Sequence, residues 1–363
     1  TNTKYTDGLN EIEGELYYFK NNRIDTSYSG LATYKGDTYL VTKGKVDKSQ
    51  SGLVQCNNEW YLLNKGEVRT DYTGLAQYDN EWYYVDCGRV NRDYCGITKY
   101  NNEWFYVDKG HLDWSYNGLG PSGDTYYYIK DGRVNWDYSG LAQYGNEWYY
   151  IEKGKVNWNY TGLAQHNNEW FYIEKGKLNW DHSGIVEYNK QWFYVDKGRL
   201  NWNYTGLGQS DNDWYYIVSG RVNWGYTGLV QKGNEWFYVE NGKLDWSYTG
   251  LVQRGNEWFF VRNGRLDWGY TGLACYNEYY FYVKNGRLDW SYSGYAQIDG
   301  QGEYYEVRNG RLVGGTLTLA KMHGVANNQD SPTNYIVLVD RAAHRVGIFR
   351  GSKGNWQDVQ YYQ

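Results

Sequence analysis

The chain has 363 residues, of which 20 % are aromatic, with 19 Trp, 44 Tyr and 45 Gly against only 2 Pro and 1 Met, a composition that excludes an ordinary globular domain. Lys and Arg total 37 against 42 Asp and Glu, giving a net charge of -5 with both signs interspersed, so nucleic acid is offered no basic stripe. No run of about 18 apolar residues is present, which excludes a membrane-spanning helix, and a mean hydropathy of -0.85 is compatible with folding only if the rings supply the core. The opening at Thr1, with neither Met nor a signal-like apolar segment, reads as the start of a piece rather than of a complete gene product.

From the first residues onward the chain is periodic. A glycine recurs every 22 residues from Gly8 to Gly294, fourteen times without a slip. A second glycine column runs from Gly44 to Gly286 and reappears two residues late at Gly310, which places an insertion around Asp299 to Gly302. One well-formed copy reads NEWFYVENGKLDWSYTGL from Asn234 to Leu251 and contains no helical pattern. Its aromatic and β-branched run, turn signal and second alternating run predict one β-hairpin, with Glu235 to Glu240 on the first strand and Lys243 to Thr249 on the second. Asn241 and Gly242 suit a two-residue turn, but Lys43, Lys65, Lys109, Lys153, Lys175 and Lys197 occupy the Asn position elsewhere, and Lys is a poor residue for positive φ. A three-residue loop is therefore expected, pairing Trp236 with Trp246 and Tyr238 with Leu244. On that register Trp236, Tyr238, Leu244, Trp246 and Tyr248 share one face, and Phe237, Val239, Asp245 and Ser247 the other. Hairpins apolar on both faces must stack, so the expected fold is all-β, a hairpin solenoid of fourteen copies.

Grooves between such hairpins would be lined by rings at a fixed repeat, suited to stacking on sugar faces or caging a quaternary ammonium. The same rings also read, one at a time, as the core of a fold with few aliphatic residues. The candidate ligand-binding residues are Trp104, Trp148, Trp170, Trp192, Trp214, Trp236 and Trp258 of a first Trp column, with Tyr150, Tyr172 and Tyr238 beside it. A second column adds Trp114, Trp136, Trp158, Trp180, Trp202, Trp224, Trp246, Trp268 and Trp290. That second column begins abruptly: Thr26, Lys48, Thr70 and Arg92 hold its place upstream, which predicts contacts between about Trp104 and Trp290 and first four copies that act as spacer or as a distinct surface.

No constellation in the chain reads as catalytic or metal-binding, and no cofactor is expected. Cys56, Cys87, Cys95 and Cys275 fall in four different columns without metal spacing and read as sporadic, mostly free thiols; a disulfide between Cys87 and Cys95 is not expected in the hairpin register. Carboxylates recur as Glu147, Glu169, Glu235 and Glu257 beside the first Trp and as Asp113, Asp245, Asp267 and Asp289 beside the second, whereas a glycosidase needs one special pair. They read as structural or ligand-orienting. His182 stands in a column otherwise mostly Tyr.

The triplets Trp82-Tyr83-Tyr84 and Trp104-Phe105-Tyr106, the turn glycine and the closing Thr-Gly resemble the cell-wall-binding repeats of Gram-positive surface proteins, a group that includes choline-binding and glucan-binding modules, over roughly Gly8 to Gly310. The resemblance implies a secreted, surface-associated protein held on wall polysaccharide, teichoic acid or another glycan. Choline-binding members place a Trp of the choline cage after the closing Gly, where this chain has Leu141, Leu163, Ile185 and Leu229. After Gly315 the period ends; a short linker and two strands, Tyr335 to Asp340 and Arg345 to Phe349, with a turn at Gly351, Lys353 and Gly354, resemble the opening of an L,D-transpeptidase domain. That family's Cys-containing motif is absent before Gln363, and His323 and His344 read as non-catalytic. The expected organisation is thus a binding solenoid over 1–315 and a linker with truncated domain over 316–363, not an enzyme in itself. Two alternatives stand beside it: an adhesin-like surface for a host glycoprotein or antibody, and the targeting part of a complete transpeptidase.

Overall fold

The computed structural model describes residues 4–299, 304–321, 334–340, 345–352 and 355–362. Among them every regular element is a β-strand. The chain divides into two compact units, Thr1–Trp180 and Asp181–Gln363, and the 22-residue copy recurs in both.

A copy has three strands rather than two. In the representative copy they are Gly228–Lys232, Glu235–Glu240 and Lys243–Leu244. The first two form the principal hairpin, with Leu229 opposite Tyr238, Val230 opposite Phe237 and Gln231 opposite Trp236. Its two-residue turn starts at Gly233, whose φ of 61° suits type II′; copies with Asn57-Asn58 or Asn101-Asn102 hold both residues at φ between 49° and 65°, as type I′ requires. The closing Gly of one repeat is thus the first residue of the next hairpin.

The second turn corrects the expected register. Val239 pairs with Leu244 and Glu240 with Lys243, so Asn241 and Gly242 make a two-residue turn, at φ 48° and 79°. The six Lys residues adopt the same left-handed conformation, with φ between 47° and 49°. What makes this affordable is the preceding copy. Thr227 Oγ1 accepts the Asn241 N–H at 3.0 Å, and the Tyr226 carbonyl accepts the Gly242 N–H at 2.8 Å. Lys175 and Gly176 are held identically by Thr161 and the Tyr160 carbonyl, at 3.0 and 2.9 Å. Gly242 is needed for space as well, since a Cβ there would lie 2.6 Å from the Asn223 carbonyl oxygen.

The changed register moves side chains to other faces. Leu244 joins Phe237, Val239 and Val230 in a core that also takes Leu207 of the preceding copy, while Tyr238 lies on the opposite face with Leu229. The short third strand reaches back to that copy, Lys243 pairing with Tyr215. Core clusters within each unit therefore span successive copies, as in Leu141 with Ala164, Phe171, Ile173 and Leu178. The closing Tyr column stitches the same seam: Tyr248 stacks on Tyr238 at 3.9 Å, and its hydroxyl donates to the Leu251 carbonyl at 2.8 Å. These repeated contacts make a β-hairpin solenoid of each unit's copies.

Beyond the last copy the expected linker is instead part of an eleven-residue strand, Arg311–Lys321, in which Leu317 pairs with Tyr304 and Thr318 with Val339. The alternation Thr-Leu-Thr-Leu from Thr316 carries that strand signal, which the double glycine before it obscures. The two anticipated strands appear as Asn334–Asp340 and Arg345–Ser352, and a third, Asn355–Tyr362, follows and pairs back at Tyr295 opposite Trp356. Gly351 and Ser352 belong to the second of these strands, while Lys353, Gly354, His323, His344 and the bulk of the insertion near 300 lie outside the described residues.

Two glycine substitutions separate the sources of this turn chemistry. Gly233→Ala meets open space and incurs only left-handed strain, about 1–2 kcal/mol, whereas Gly242→Ala adds the carbonyl clash. Thermal unfolding should show the second variant clearly less stable than the first; equal losses would mean that the approach of successive copies is slack.

Candidate functional site

Nine indoles stand out on the surface. Trp114, Trp136, Trp158, Trp180, Trp202, Trp224, Trp246, Trp268 and Trp290 are each exposed, from 39 % at Trp158 and Trp180 to 53 % at Trp290. Each follows the third strand of its copy, inside a turn that lifts it outward. Asp245 Oδ1 accepts both the Ser247 N–H at 2.8 Å and its hydroxyl at 2.6 Å; Asn157 likewise accepts the Asn159 N–H at 3.0 Å. The carboxylates beside the second Trp are therefore turn formers, and the Ser115 hydroxyl bond holds the Asp113 carboxyl below its usual range.

The inner edge of every indole meets an aromatic ring of its own copy. Trp246 lies edge-on to Phe237 at 5.9 Å and 82°, Trp158 to Tyr149 at 5.7 Å and 79°, and Trp114 to Phe105 at 5.6 Å and 80°. A cation from the next copy's third strand enters the corner. Arg265 lies 5.6 Å from the Phe237 centroid and 5.4 Å from that of Trp246, with Glu235 3.6 Å from its Nη1. Lys177 and Glu147 form the same ion pair at 3.1 Å, as do Lys243 and Asp213 at 2.9 Å. The acids beside the first Trp thus hold the cation column. Sequence reading missed both the inner ring and the cation, although a Lys or Arg stands 19 residues after Trp114 and after each following Trp as far as Trp268.

A ring of the preceding copy closes the groove at some rungs. Tyr126 lies 6.4 Å from Trp158, whose Nε1 donates to Thr125 Oγ1 at 3.1 Å, and Trp192 lies 5.8 Å from Trp224. Trp114 also borders an open cleft lined by Arg133, Asn135 and Asp137. Upstream, Thr26, Lys48, Thr70 and Arg92 are exposed too, and Lys48 reaches Glu15 at 3.1 Å. Packing thus demands no indole at this position.

The first Trp column is placed differently. Trp104, Trp148, Trp170, Trp192, Trp214, Trp236 and Trp258 are half-buried. Trp148, Trp214, Trp236 and Trp258 pack into clusters shared with the following copy. Following-copy residues also cover their rings: His166 on Trp148 at 4.8 Å, Tyr276 on Trp258 at 4.4 Å, Lys232 on Trp214 at 3.1 Å and Arg254 on Trp236 at 4.1 Å. Tyr172 and Tyr238 are buried at 8 % and 7 %, and Tyr150 stacks on Tyr160 at 3.9 Å. Trp148, Trp214, Trp236 and Trp258 are thus seam residues, as are the three tyrosines, while the second column is exposed.

Cys95 takes the place of the closing Thr, its Sγ accepting the Lys109 N–H at 3.2 Å and donating to Asp108 at 3.3 Å. Cys87 is a turn residue whose N–H is held by Thr73 at 3.0 Å, and all four cysteines are free. His182 fills the Tyr column and accepts the Gly198 N–H through its carbonyl at 2.8 Å. No group of His, Cys, Asp and Glu among the described residues could hold a metal ion, and no helix of the described residues is long and apolar enough to cross a membrane.

Burial pushes the phenols of Tyr149, Tyr248, Tyr270 and Tyr282 up to about 12 from an ordinary 10.0. A raised folded-state value means that their neutral form stabilises the fold fully below pH 10 and that this contribution is lost as the pH rises through 12. Tyrosinate absorbance should lag behind that of free tyrosine and rise together with loss of the β circular dichroism signal. Complete ionisation near pH 10 with the fold intact would contradict the seam packing.

Against known proteins, the choline-binding repeat family matches residues 27–47, 71–91, 93–113, 115–135, 137–157, 159–179, 183–201, 203–223, 225–245, 247–267 and 269–289. These segments make up more than half of the chain, which therefore belongs to the choline-binding repeat family. Among solved structures it is similar to alternansucrase in complex with isomaltotriose, at 14 % identity and a TM-score of 0.26; the match covers 66 % of this chain and 18 % of the length of that one. No curated protein matches the chain.

Proposed function

We propose that the chain is a non-catalytic module that attaches a surface protein to cell-wall polymers or other glycans through the second Trp column. The observation that carries this reading is the repeated exposure of one indole per copy at a position where exposed Thr, Lys and Arg stand in the upstream copies. Exposed aromatic rims of this kind suit the apolar faces of sugar rings, and membership of a family of binding repeats favours the same use. A glucan is one polymer to include, since the alternansucrase structure holds isomaltotriose. The first four copies then act as spacer or as a separate surface. Residues 1–315 would be the binding part, displayed outside the cell, and 316–363 the start of an L,D-transpeptidase-like domain, which would make this chain the targeting part of a peptidoglycan-crosslinking enzyme.

Each rung is shallow, so affinity should come from several rungs on one polymer, a gain of about 10²- to 10⁴-fold over a single site. Replacing Trp136, Trp158, Trp224 and Trp246 together by Ala should leave the circular dichroism spectrum unchanged and weaken retention on purified Gram-positive wall polysaccharide by at least tenfold, about 1.4 kcal/mol. The matched variant with Trp148 and Trp236 changed to Ala should instead lose thermal stability. Full retention by the four-rung variant, or capture from serum in place of wall polysaccharide, would defeat the proposal.

A further inference from the structure

Several corners of the Trp column have the parts of an ammonium cage: two perpendicular rings and, beside Glu103, Glu235 and Glu257, a nearby carboxylate. In four copies the corner is already occupied. Arg133 stands 5.6 Å from Phe105 and 5.4 Å from Trp114, Arg221 5.5 Å from Phe193 and 5.1 Å from Trp202, and Arg287 5.6 Å from Phe259 and 5.4 Å from Trp268, matching Arg265 with Phe237 and Trp246. Glu103, Glu257 and Glu235 lie between 3.6 and 3.8 Å from the Arg133, Arg287 and Arg265 guanidiniums. We propose that these four corners are cages filled by the protein's own guanidinium groups, so that the rungs of Trp114, Trp202, Trp246 and Trp268 exclude quaternary ammonium ligands and take an uncharged sugar ring on the outward indole face.

The physical reason is competition for one quadrupole. A ring attracts a cation through the negative charge of its face, and a guanidinium within about 6 Å already uses that attraction. An added ammonium would meet like-charge repulsion from the Arg and, at the Arg133, Arg265 and Arg287 corners, would find the Glu neutralised. An uncharged pyranose suffers neither effect, and its C–H face can stack on the outer side of an indole that the Arg and the inner ring hold in position. This inference rests on the glycan reading for the ligand it admits, but not for the ligand it excludes.

The test titrates the chain with choline and with tetramethylammonium at constant ionic strength, following indole fluorescence and the indole N–H resonances. Wild-type protein should show no shift of the Trp114, Trp202, Trp246 and Trp268 indoles at millimolar ligand. A variant with Arg221→Gln, Arg265→Gln and Arg287→Gln, shown folded by circular dichroism, should respond at concentrations about tenfold or more lower than wild type, while the triple Arg→Lys variant, which keeps the charge, should not. Saturable shifts of these indoles in wild-type protein would overturn the proposal, and so would a folded Gln variant that gains nothing. Should the Gln variant unfold, the wild-type titration remains decisive. Binding of a neutral polysaccharide is measured separately: its absence, with the ammonium results as expected, would remove the glycan reading and leave the filled cage standing.

Discussion

Everything in this fold depends on how one copy holds the turn of the next. A two-residue turn such as Asn241-Gly242 needs two left-handed residues and leaves two N–H groups pointing away from its own strands. The preceding copy accepts both, one at a Thr or Ser hydroxyl and one at a Tyr carbonyl. Since the turn glycine also touches the backbone of that copy, no larger residue could occupy the place. One contact thus sets the conformation of the turn, the approach of the copies and the register of the third strand.

Strand geometry divides the labour between the two Trp columns. Alternation along the second strand sends Phe237 and Val239 to one face and Trp236 and Tyr238 to the other, and pairing Val239 with Leu244 brings Leu244 to the first of these faces. The first indole is then trapped against the following copy. The second indole leaves the sheet just after the third strand, where an Asx turn points it into solvent, supported by the Phe237 ring and the Arg265 guanidinium. Two residues of the same type, ten apart, end in opposite environments because one lies within a paired strand and the other just beyond it.

The charges obey the same geometry. Acid at the start of the second strand and cation on the next copy's third strand face each other across the seam, so the alternation of sign along the chain becomes a row of ion pairs. Exposed pairs of this kind add little stability one at a time. Their larger effect is positional, because the cation they hold rests on the rings and fixes the surface that a ligand would meet.

The period, the all-β class and the absence of a helical pattern were legible in the sequence because glycine spacing and aromatic alternation are local, one-dimensional signals. The second Trp column was legible too, as a gapless series that starts at Trp114. Tertiary structure decided what those indoles face. Lys175 in a left-handed turn looks unfavourable from propensity alone, and only Thr161 and the Tyr160 carbonyl, contributed by the copy before, make it stable; without them the register slips by one residue and every side-chain assignment beyond the turn changes face. The strand from Arg311 to Lys321 likewise exists through pairing with Tyr304 and Val339, partners that its own residues do not reveal. Pairing between copies is a contact between chain segments distant in sequence, and its partners are fixed only when the chain is folded.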